Sequence, residues 1–375
     1  MSDQLSLVML TTITPDPENR GGPSGLPWEI LEELTRDGWQ VHTQLVPLAA
    51  GRVQRRLMQL AVQLTHIQVE RTDADAYIVY PSYLGRQVPP ELRSRTLVLG
   101  PDATSMLYAR CARIESGWRR WRSLCLSQWF KFHEMWLIRN LAGMLVVGRN
   151  DARWLRHFAG PALREHVHYV PHPVLHTVTK SICGEGTRAK PRLVFSGDLS
   201  RKYIGDFFDT FDHAAVAAAL SSTDCEIIVI GKGNRHVYDL IAKHLPARYE
   251  AWVDNYATFC DPLRDVHAIP LMAGAGTKNR TLTALAMNVI IVSTPIGIEN
   301  IDIRVLHASN VHRFRSGAEF PSALAAALLD LQARRFAGTP PSPPPIGRIT
   351  NAFRAATRSV MRIAAAVSFS SQTHT

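Results

Sequence analysis

Short apolar runs alternate with segments of helical period along the chain. Apolar runs predict buried strands, and apolar residues three and four apart predict helices that pack on a sheet. In the first half, the predicted strands are SLVMLTTI, WQVHTQLVPL, DAYIVYP, RTLVLG, GMLVVG and HVHYVPHPV. The predicted helices between them are GLPWEILEELTRDG, GRVQRRLMQLAVQLTHIQVER and ARWLRHFAG. This alternation predicts an open parallel sheet with helices on both faces.

The same alternation restarts after residues 176–190, a stretch of small, polar and basic residues that is typical of a linker. Its predicted strands are RLVFSG, CEIIVIGKG, YEAWVD, DVHAIPL and VIIVSTP, and its predicted helices include IGDFFDTFDHAAVAAAL and RHVYDLIAKHL. We therefore predict an α/β fold of two tandem Rossmann-like, doubly wound parallel sheets that face each other across a cleft. The predicted domains are residues 1–175 and 191–335, and a basic amphipathic helix at 346–375 follows a proline-rich span.

The composition is typical of a globular protein that stays inside the cell. Of 375 residues, 46% are apolar, and no apolar run is long enough to span a membrane. The N-terminus lacks the basic head and cleavage site of a signal peptide. The five cysteines are scattered and predict reduced thiols: Cys111, Cys125, Cys183, Cys225 and Cys260. We expect a cytoplasmic protein.

The chain is basic, with a formal net charge of +10 and a pI near 9.6. This charge favours an anionic partner, which is a nucleic acid, a phospholipid surface or a charged small substrate. The sequence shows neither a recognised reading helix nor a strand face that interleaves aromatic and basic residues. We therefore expect no nucleic-acid partner.

A stripe of aromatic residues lies in the long segment of the first half. Six apolar residues fall three or four apart on one side of a predicted helix: Trp118, Trp121, Cys125, Trp129, Phe132 and Trp136. Four cations flank the stripe: Arg119, Arg120, Arg122 and Lys131. Two interpretations stay open, which are a core helix packed on the first sheet and a peripheral contact with an anionic membrane surface on the inner face.

The segment PLMAGAGTKNRTLTALAMNVIIVSTPIG, residues 270–297, carries the clearest chemical signal. A glycine-rich loop in front of a helix lets backbone N–H groups approach an anion, and phosphate is the commonest such ligand. The candidate phosphate-binding residues are Gly274, Gly276, Thr277 and Lys278. Gly231 and Gly233 flank Lys232 in a similar turn and are candidates for contact with a nucleotide base. The alternative is an ordinary strand-to-helix turn that needs glycine for tight packing.

Three further polar residues follow strands of the first half. Asp102 and Ser105 come just after a predicted strand and are candidates for the acceptor side of a cleft, although Asp102 also suits the cap of a helix that begins at Ala103. His172, between two prolines, is either an acceptor contact or a turn residue. We find no convincing pair of carboxylates for acid and base and no metal-ligand cluster, so no metal is expected.

Five segments between residues 5 and 330, which follow one another in the family's order, resemble the retaining glycosyltransferases of family 4, the group 1 glycosyl transferases. These segments are GGPSGLPWEILEELTRDGWQV, PDATSMLYAR, FHEMWLIRNLAGMLVVGRNDARWL, YVPHPV and PLMAGAGTKNRTLTALAMNVIIVSTPIGIENI. The resemblance implies a GT-B fold whose terminal helix packs back on the first domain. It also implies transfer of a sugar from a nucleotide-diphosphate sugar, with retention, to a glycan, lipid-linked or small-molecule acceptor. No cofactor is implied.

The resemblance also implies roles for individual residues. Lys278 and the Gly274–Thr277 backbone would hold the departing diphosphate from one side, and the Gly21–Gly22 turn from the other. Arg201 and Lys202 would replace the family's arginine and lysine after the first strand of the second domain, where Asp198 stands at the usual arginine position.

Asp198 and Thr283 depart from the family pattern. Thr283 stands where the family has a glutamate that holds the ribose hydroxyls, which predicts weaker donor binding. The residues expected to act in catalysis are Asp102, Lys278 and Arg201. The alternative to a transferase is a GT-B protein that binds nucleotide sugars or glycans with impaired catalysis.

Overall fold

The computed structural model describes residues 4–17, 23–48, 51–62, 65–174, 189–307, 310–338, 342 and 344–372. The chain divides into two compact units. The first comprises Met1–Ala109, Leu124–Leu175 and Arg348–Thr375, and the second comprises Arg110–Ser123 and His176–Gly347. Most of the predicted linker, together with Cys183, lies outside the described residues. The other four cysteines are free thiols.

The first unit is built on a six-stranded parallel sheet of order β2-β1-β3-β4-β5-β6. Its strands are β1 (Ser6–Thr11), β2 (Gln40–Leu45), β3 (Ala76–Tyr80), β4 (Thr96–Leu99), β5 (Gly143–Val146) and β6 (Val167–Tyr169). The helices of this part of the chain are α1 (Gly25–Arg36), α2 (Arg52–Gln59), α3 (Thr104–Ile114), α4 (Gly117–Asn140) and α5 (Arg149–Ala159). The central strands β3, β4 and β5 are buried along their whole length, as expected for a parallel sheet covered on both faces.

One predicted helix of the first unit is much shorter than its sequence pattern suggests. The pattern over residues 51–71 predicts a long helix, but α2 ends at Gln59. The chain leaves the helix at Ala61, whose φ of 58° is left-handed. Val62 donates its N–H to the Leu57 carbonyl and Ala61 donates to Met58, which closes the helix in the manner of a Schellman motif. The prediction of a helix through residue 71 is therefore wrong.

The second unit has its own six-stranded parallel sheet, of order β12-β11-β10-β7-β8-β9. Its strands are β7 (Arg192–Phe195), β8 (Glu226–Ile230), β9 (Ala247–Glu250), β10 (Asp265–Ile269), β11 (Ile290–Ser293) and β12 (Val311–Arg313). Its helices are α6 (Arg201–Ile204), α7 (His213–Ser221), α8 (Arg235–Ala242), α9 (Tyr256–Phe259), α10 (Asn279–Ala286), α11 (Ile303–His307) and α12 (Phe320–Ala337). The short edge strand β12 was not predicted from the sequence.

A cluster of phenylalanines replaces part of a predicted helix in this unit. The pattern over residues 204–220 predicts one helix, but the helix there, α7, begins only at His213, where the Asp212 side chain accepts the Ala215 N–H at 2.9 Å. Phe207, which precedes it, is fully buried in the core. Its ring contacts several neighbours at centroid distances of 4.8–5.6 Å: Phe208, Phe211, Phe314 and Phe320. Helical spacing here reflects core packing of a turn.

The last helix, α13 (Gly347–Gln372), belongs to the first unit. Its apolar side enters the same core as β1 and α1, where Phe353 and Met361 are buried with Leu7 and Leu26. Its basic side faces the carboxylates of α1. Arg354 and Arg358 form ion pairs with Glu33, and Arg358 and Arg362 form ion pairs with Asp37. Three of the four arginines of this helix are therefore paired within the molecule.

Across the described ranges, no helix combines the length and apolarity that crossing a membrane requires.

Candidate functional site

The strand order of the second unit places a topological switch point between β7 and β10. The chain runs outward from β7 through β8 to β9, and then from β10 in the opposite direction to β12. In doubly wound sheets, ligands bind beyond the carboxyl ends of the strands at this point. The two segments that leave it are the Ser196–Ser200 turn, with Gly197 at a φ of 97°, and the loop of residues 270–278.

The loop after β10 is shaped by side chains that bind three successive carbonyl groups. Arg110 donates to the Gly274 carbonyl at 2.7 Å. Lys278 donates from Nζ to the carbonyls of Ala275 at 2.5 Å and Gly276 at 3.0 Å, and Asn300 also donates to Gly276 at 2.9 Å. The predicted phosphate ligand Lys278 is thus folded over its own loop, where it fixes the loop's shape.

A two-pronged ion pair fixes one of these side chains. Arg110 binds both carboxylate oxygens of Glu299, with N–O distances of 2.5 and 2.6 Å. Both side chains are largely buried. Glu299 follows the TPIG turn after β11, so the pair joins that turn to the Gly274 carbonyl. The sequence pattern did not identify either residue as part of this site.

Arg280 is a cation at the switch point that the sequence interpretation also missed. It lies in the first turn of α10, and its guanidinium stacks on the Tyr256 ring at 4.1 Å from the centroid. A Cβ placed on Gly197 would lie 3.9 Å from Arg280 Cγ, so this side chain stands beside the turn that leaves β7. Among the described residues, no carboxylate forms an ion pair with Arg280. Its position two residues after Lys278 was the signal available in the sequence.

The turn after β8 is tied to the turn after β7 by one buried amide. Asn234 donates from Nδ2 to the carbonyls of Gly197 at 2.7 Å and Ile230 at 2.6 Å, and its Oδ1 accepts the Leu199 N–H at 3.1 Å. Gly231 has a φ of 119°, where an L side chain would be strained. The Gly231–Gly233 turn therefore lies beside the turn that leaves β7, and its contact with a base stays a prediction.

A buried polar chain lies beneath this edge of the second sheet. Arg192 binds Asp265 through two hydrogen bonds of 2.6 and 2.8 Å. His267 Nε2 is 3.7 Å from the Asp265 carboxylate, and its Nδ1 is 2.7 Å from the Tyr256 hydroxyl. That hydroxyl is 2.8 Å from Ser196 Oγ, immediately after β7. Burial alone would raise the pKa of Asp265, but hydrogen bonds from His267 and Arg192 hold it below its ordinary value.

Solved structures share this architecture over nearly the whole chain. WaaG, a glycosyltransferase involved in lipopolysaccharide biosynthesis, gives a TM-score of 0.56 at 12% identity and covers 96% of this chain and 99% of its own. An α,α-trehalose-phosphate synthase (UDP-forming) from Burkholderia vietnamiensis gives 0.59 at 12% identity and covers 97% and 98%. HepE of Anabaena, in complex with UDP and glucose, gives 0.52 at 11% identity and covers 98% and 99%. The fold is GT-B.

Sequence comparisons are less informative, since neither a protein-family model nor a curated protein matches this chain. The predicted fold class, α/β with two Rossmann-like parallel sheets, is confirmed by the two sheets and by these structural likenesses. At such low identities the likeness establishes the fold alone.

The remaining donor-side candidates of the GT-B second unit occupy different environments. Arg201 is exposed and forms an ion pair with Asp209 at 2.9 Å. The carbonyl of Lys202 accepts a hydrogen bond from Cys111 Sγ at 3.5 Å, and its Nζ lies over the Tyr203 ring at 5.1 Å. Thr283 is nearly buried on α10. The structure therefore places Arg280, and not Arg201, beside Gly197.

The first unit holds the donor-binding candidates Gly21 and Gly22, the catalytic candidate Asp102, and the acceptor candidates Ser105 and His172. Gly21 and Gly22 fall outside the described residues. Asp102 is exposed at the carboxyl end of β4. Burial of Tyr80 raises the pKa of its hydroxyl, and the charge of Asp102 raises it further. The Tyr80 hydroxyl donates to the Pro23 carbonyl at 2.9 Å. Asp102 therefore lies near the segment that leads into α1.

Ser105 is fully buried at the start of α3. Its N–H donates to Glu134 at 3.0 Å, its hydroxyl donates to the same carboxylate, and Trp154 Nε1 donates to its Oγ at 2.8 Å. The Ala103 N–H donates to Asp151 at 2.8 Å. Two buried carboxylates thus accept N–H groups at the start of this helix.

His172 is also buried, and its Nδ1 donates to the Pro173 carbonyl at 2.8 Å. Burial lowers its pKa to about 4, so the ring is neutral near pH 7. The acceptor role of Ser105 and His172 stays a prediction, and the contacts seen for both are structural.

Glu134 predicts a measurable pH dependence of stability. Burial raises its pKa from an ordinary 4.5 to about 7, against the opposing hydrogen bonds from Ser105 and Thr104. The folded protein therefore holds this proton more tightly than the unfolded chain, and stability falls as the pH rises from 4.5 to 7. Glu134→Gln should remove this loss. The free energy of unfolding of the variant minus that of the wild type should rise by up to about 1.4 kcal/mol per pH unit in this interval.

Urea denaturation at a series of pH values measures this difference. The subtraction cancels the opposite acid-side contribution of the buried His133, His168 and His172, whose pKa values burial lowers. A difference that is flat from pH 4.5 to 7 would contradict the assignment.

Proposed function

We propose that this protein is a glycosyltransferase that moves a sugar from a nucleotide-diphosphate sugar to an acceptor. The observation that carries the proposal is the placement of Arg280, a cation without an ion pair among the described residues, beside the glycine turn at the β7–β10 switch point. A glycine turn and a helix N-terminus with a nearby guanidinium suit a diphosphate. HepE, with the same fold, has been crystallised with UDP and glucose.

In such a transfer, the groups that contact the diphosphate stabilise the transition state. As the sugar departs, negative charge grows on the diphosphate oxygen and positive charge grows on the sugar. Fixed cations and N–H dipoles that face this oxygen stabilise the transition state more than the ground state. Arg280 supplies such a charge, and the Gly197 turn lets the backbone approach the phosphates. Lys278 acts by holding the loop and by adding positive charge beside it.

The nucleoside would lie along the same edge towards β8 and β9. Trp252 follows the end of β9 and is 68% exposed, although its indole is large and apolar. An exposed aromatic face suits stacking on a base, which contributes roughly 1–3 kcal/mol per base. Gly231 and Gly233 would bound the base from the β8 side, and Thr283 would accept or donate one hydrogen bond at the ribose.

The finer features of the reaction belong to the same proposal. Transfer would proceed with retention, without a metal or cofactor, as in the family that the sequence resembles. The acceptor is a glycan, a lipid-linked intermediate or a small molecule, received near the exposed Asp102. The rival is a nucleotide-sugar-binding protein with impaired catalysis, for which Thr283 and Asp198 are the sequence arguments.

A thermal-shift screen with nucleoside diphosphates and their sugars, followed by donor-turnover assays, tests the proposal. We expect one nucleotide sugar to raise the melting temperature and to release its nucleoside diphosphate. Trp252→Ala should weaken binding of that nucleotide about 10- to 100-fold, because stacking is lost. Phe336→Ala, which removes another exposed ring on α12, is the matched control.

Binding without turnover of any donor would favour the impaired-catalysis rival. If no nucleotide binds, the proposal fails.

A further inference from the structure

Helix α4 presents its aromatic stripe to solvent and a polar row to the protein. Trp118, Trp121 and Phe132 are 79%, 65% and 71% exposed. The buried side of the helix includes a row of polar residues: Ser123, Ser127, His133 and Glu134. A core helix has the reverse arrangement. The interpretation of the stripe as core is therefore wrong for these three aromatic residues.

The helix is held in this orientation by its other tryptophans. Trp129 Nε1 donates to the Leu60 carbonyl, just after α2, at 2.6 Å. Trp136 is contacted by two guanidinium groups, those of Arg86 at 5.3 Å and Arg93 at 5.0 Å from its ring centroid. These contacts use the polar edge of one ring and the face of the other. These contacts hold the C-terminal part of α4 on the first unit.

Positive charge accompanies the exposed rings. The run Trp118-Arg119-Arg120-Trp121-Arg122 is exposed at every position. No Asp or Glu occurs between residues 116 and 133. By contrast, three of the four arginines of α13 form ion pairs with Glu33 and Asp37, whereas no ion pair among the described residues involves Arg119, Arg120 or Arg122.

We propose that the α4 surface, defined as Trp118–Arg122, docks this protein on the interface of an anionic phospholipid bilayer. Indole rings reside at the level of the lipid headgroups, where their apolar bodies leave water, and guanidinium groups pair with phosphates. A second copy of the chain would set arginines of this helix against like charges. A bilayer with anionic headgroups accommodates both the rings and the cations, so the charge pattern selects it over a self-interface.

Vesicle binding of the whole protein, measured without any sugar nucleotide, tests this proposal. We expect co-sedimentation with vesicles of one part phosphatidylglycerol to two parts phosphatidylcholine, and little with phosphatidylcholine alone. Tryptophan fluorescence should be quenched by lipids brominated in the upper acyl chain. Trp118→Ser with Trp121→Ser should lower the partition coefficient on the order of 100-fold and remove most of the quenching. The partition coefficient should fall about 5-fold for each arginine changed to Gln, at Arg119, Arg120 and Arg122.

Matched variants separate docking from general effects of charge and hydrophobicity. Phe336→Ser removes an exposed ring elsewhere, and Arg248, Arg304 and Arg313 changed to Gln lower the net charge equally. Both should bind vesicles as the wild type does. The proposal is overturned if the wild type ignores anionic vesicles or if the matched variants lose binding equally. It is also overturned if the wild type is a dimer that the tryptophan variant dissociates, or if it binds RNA through this surface and no vesicles.

Discussion

Replacing Arg280 with alanine should reduce the turnover number for sugar transfer on the order of 100- to 1000-fold. This is the usual cost of removing one preorganised group that faces charge growing in a transition state. Arg280 lies at the switch point of the second sheet, beside Gly197, with its guanidinium over the Tyr256 ring. Because its charge is most needed when the diphosphate departs, kcat should fall more than KM for the donor rises.

Three comparison variants locate the cause of this loss. Arg280→Lys should recover part of the activity, since it keeps the charge but not the planar fork. Lys278→Ala should also be severely impaired, through loss of the loop's internal bonds and of positive charge, while keeping the fold. Arg304→Ala removes an exposed arginine of the same unit and should leave kcat unchanged. If Arg280→Ala and Arg304→Ala have equal activity, Arg280 does not face the diphosphate.

Much of the fold was predictable because the strands of a buried parallel sheet have apolar sequences. The central strands appeared where the sequence predicted them, since strands covered on both faces contain few polar residues. The failures have physical causes. The helix predicted over residues 51–71 ends early because Ala61 adopts a left-handed φ of 58°, which composition does not reveal. Phe207 and its neighbours have helical spacing but pack as an aromatic core around turns.

The sequence predicted which loop forms the candidate site but not which side chains contact that loop. The glycine pattern located residues 274–278, but the pairing of Arg110 with Glu299 joins residues 189 positions apart. No local pattern reports such a distance. For the same reason, the sequence left the aromatic stripe of α4 undecided: periodicity identifies one side of a helix but not whether that side faces the core. Burial of Ser127 and exposure of Trp118 resolve that question.

Replacing Asp265 with alanine should destabilise the second unit by about 3–5 kcal/mol, the usual cost of leaving one partner of a buried ion pair uncompensated. Asp265 is fully buried, and it binds the guanidinium of Arg192 at 2.6 and 2.8 Å. It also accepts the Asp261 N–H at 2.8 Å. Loss of the carboxylate leaves a charged arginine and an amide without these partners. Urea denaturation, with hydrogen exchange of the β7 and β10 amides to localise the change, measures the effect.

The double variant Arg192→Met with Asp265→Asn distinguishes a buried charge from simple loss of packing. The asparagine oxygen still accepts the Asp261 N–H, and the methionine removes the charge that would otherwise be unpaired. We therefore expect the double variant to regain at least half of the stability that Asp265→Ala loses. If both variants are equally unstable, packing and not charge determines the cost. If Asp265→Ala lowers the free energy of unfolding by less than about 1 kcal/mol, the buried ion pair contributes as little as an exposed one. The hydrogen-bonded chain from Asp265 through His267 to Tyr256 is then stable without the ion pair to Arg192.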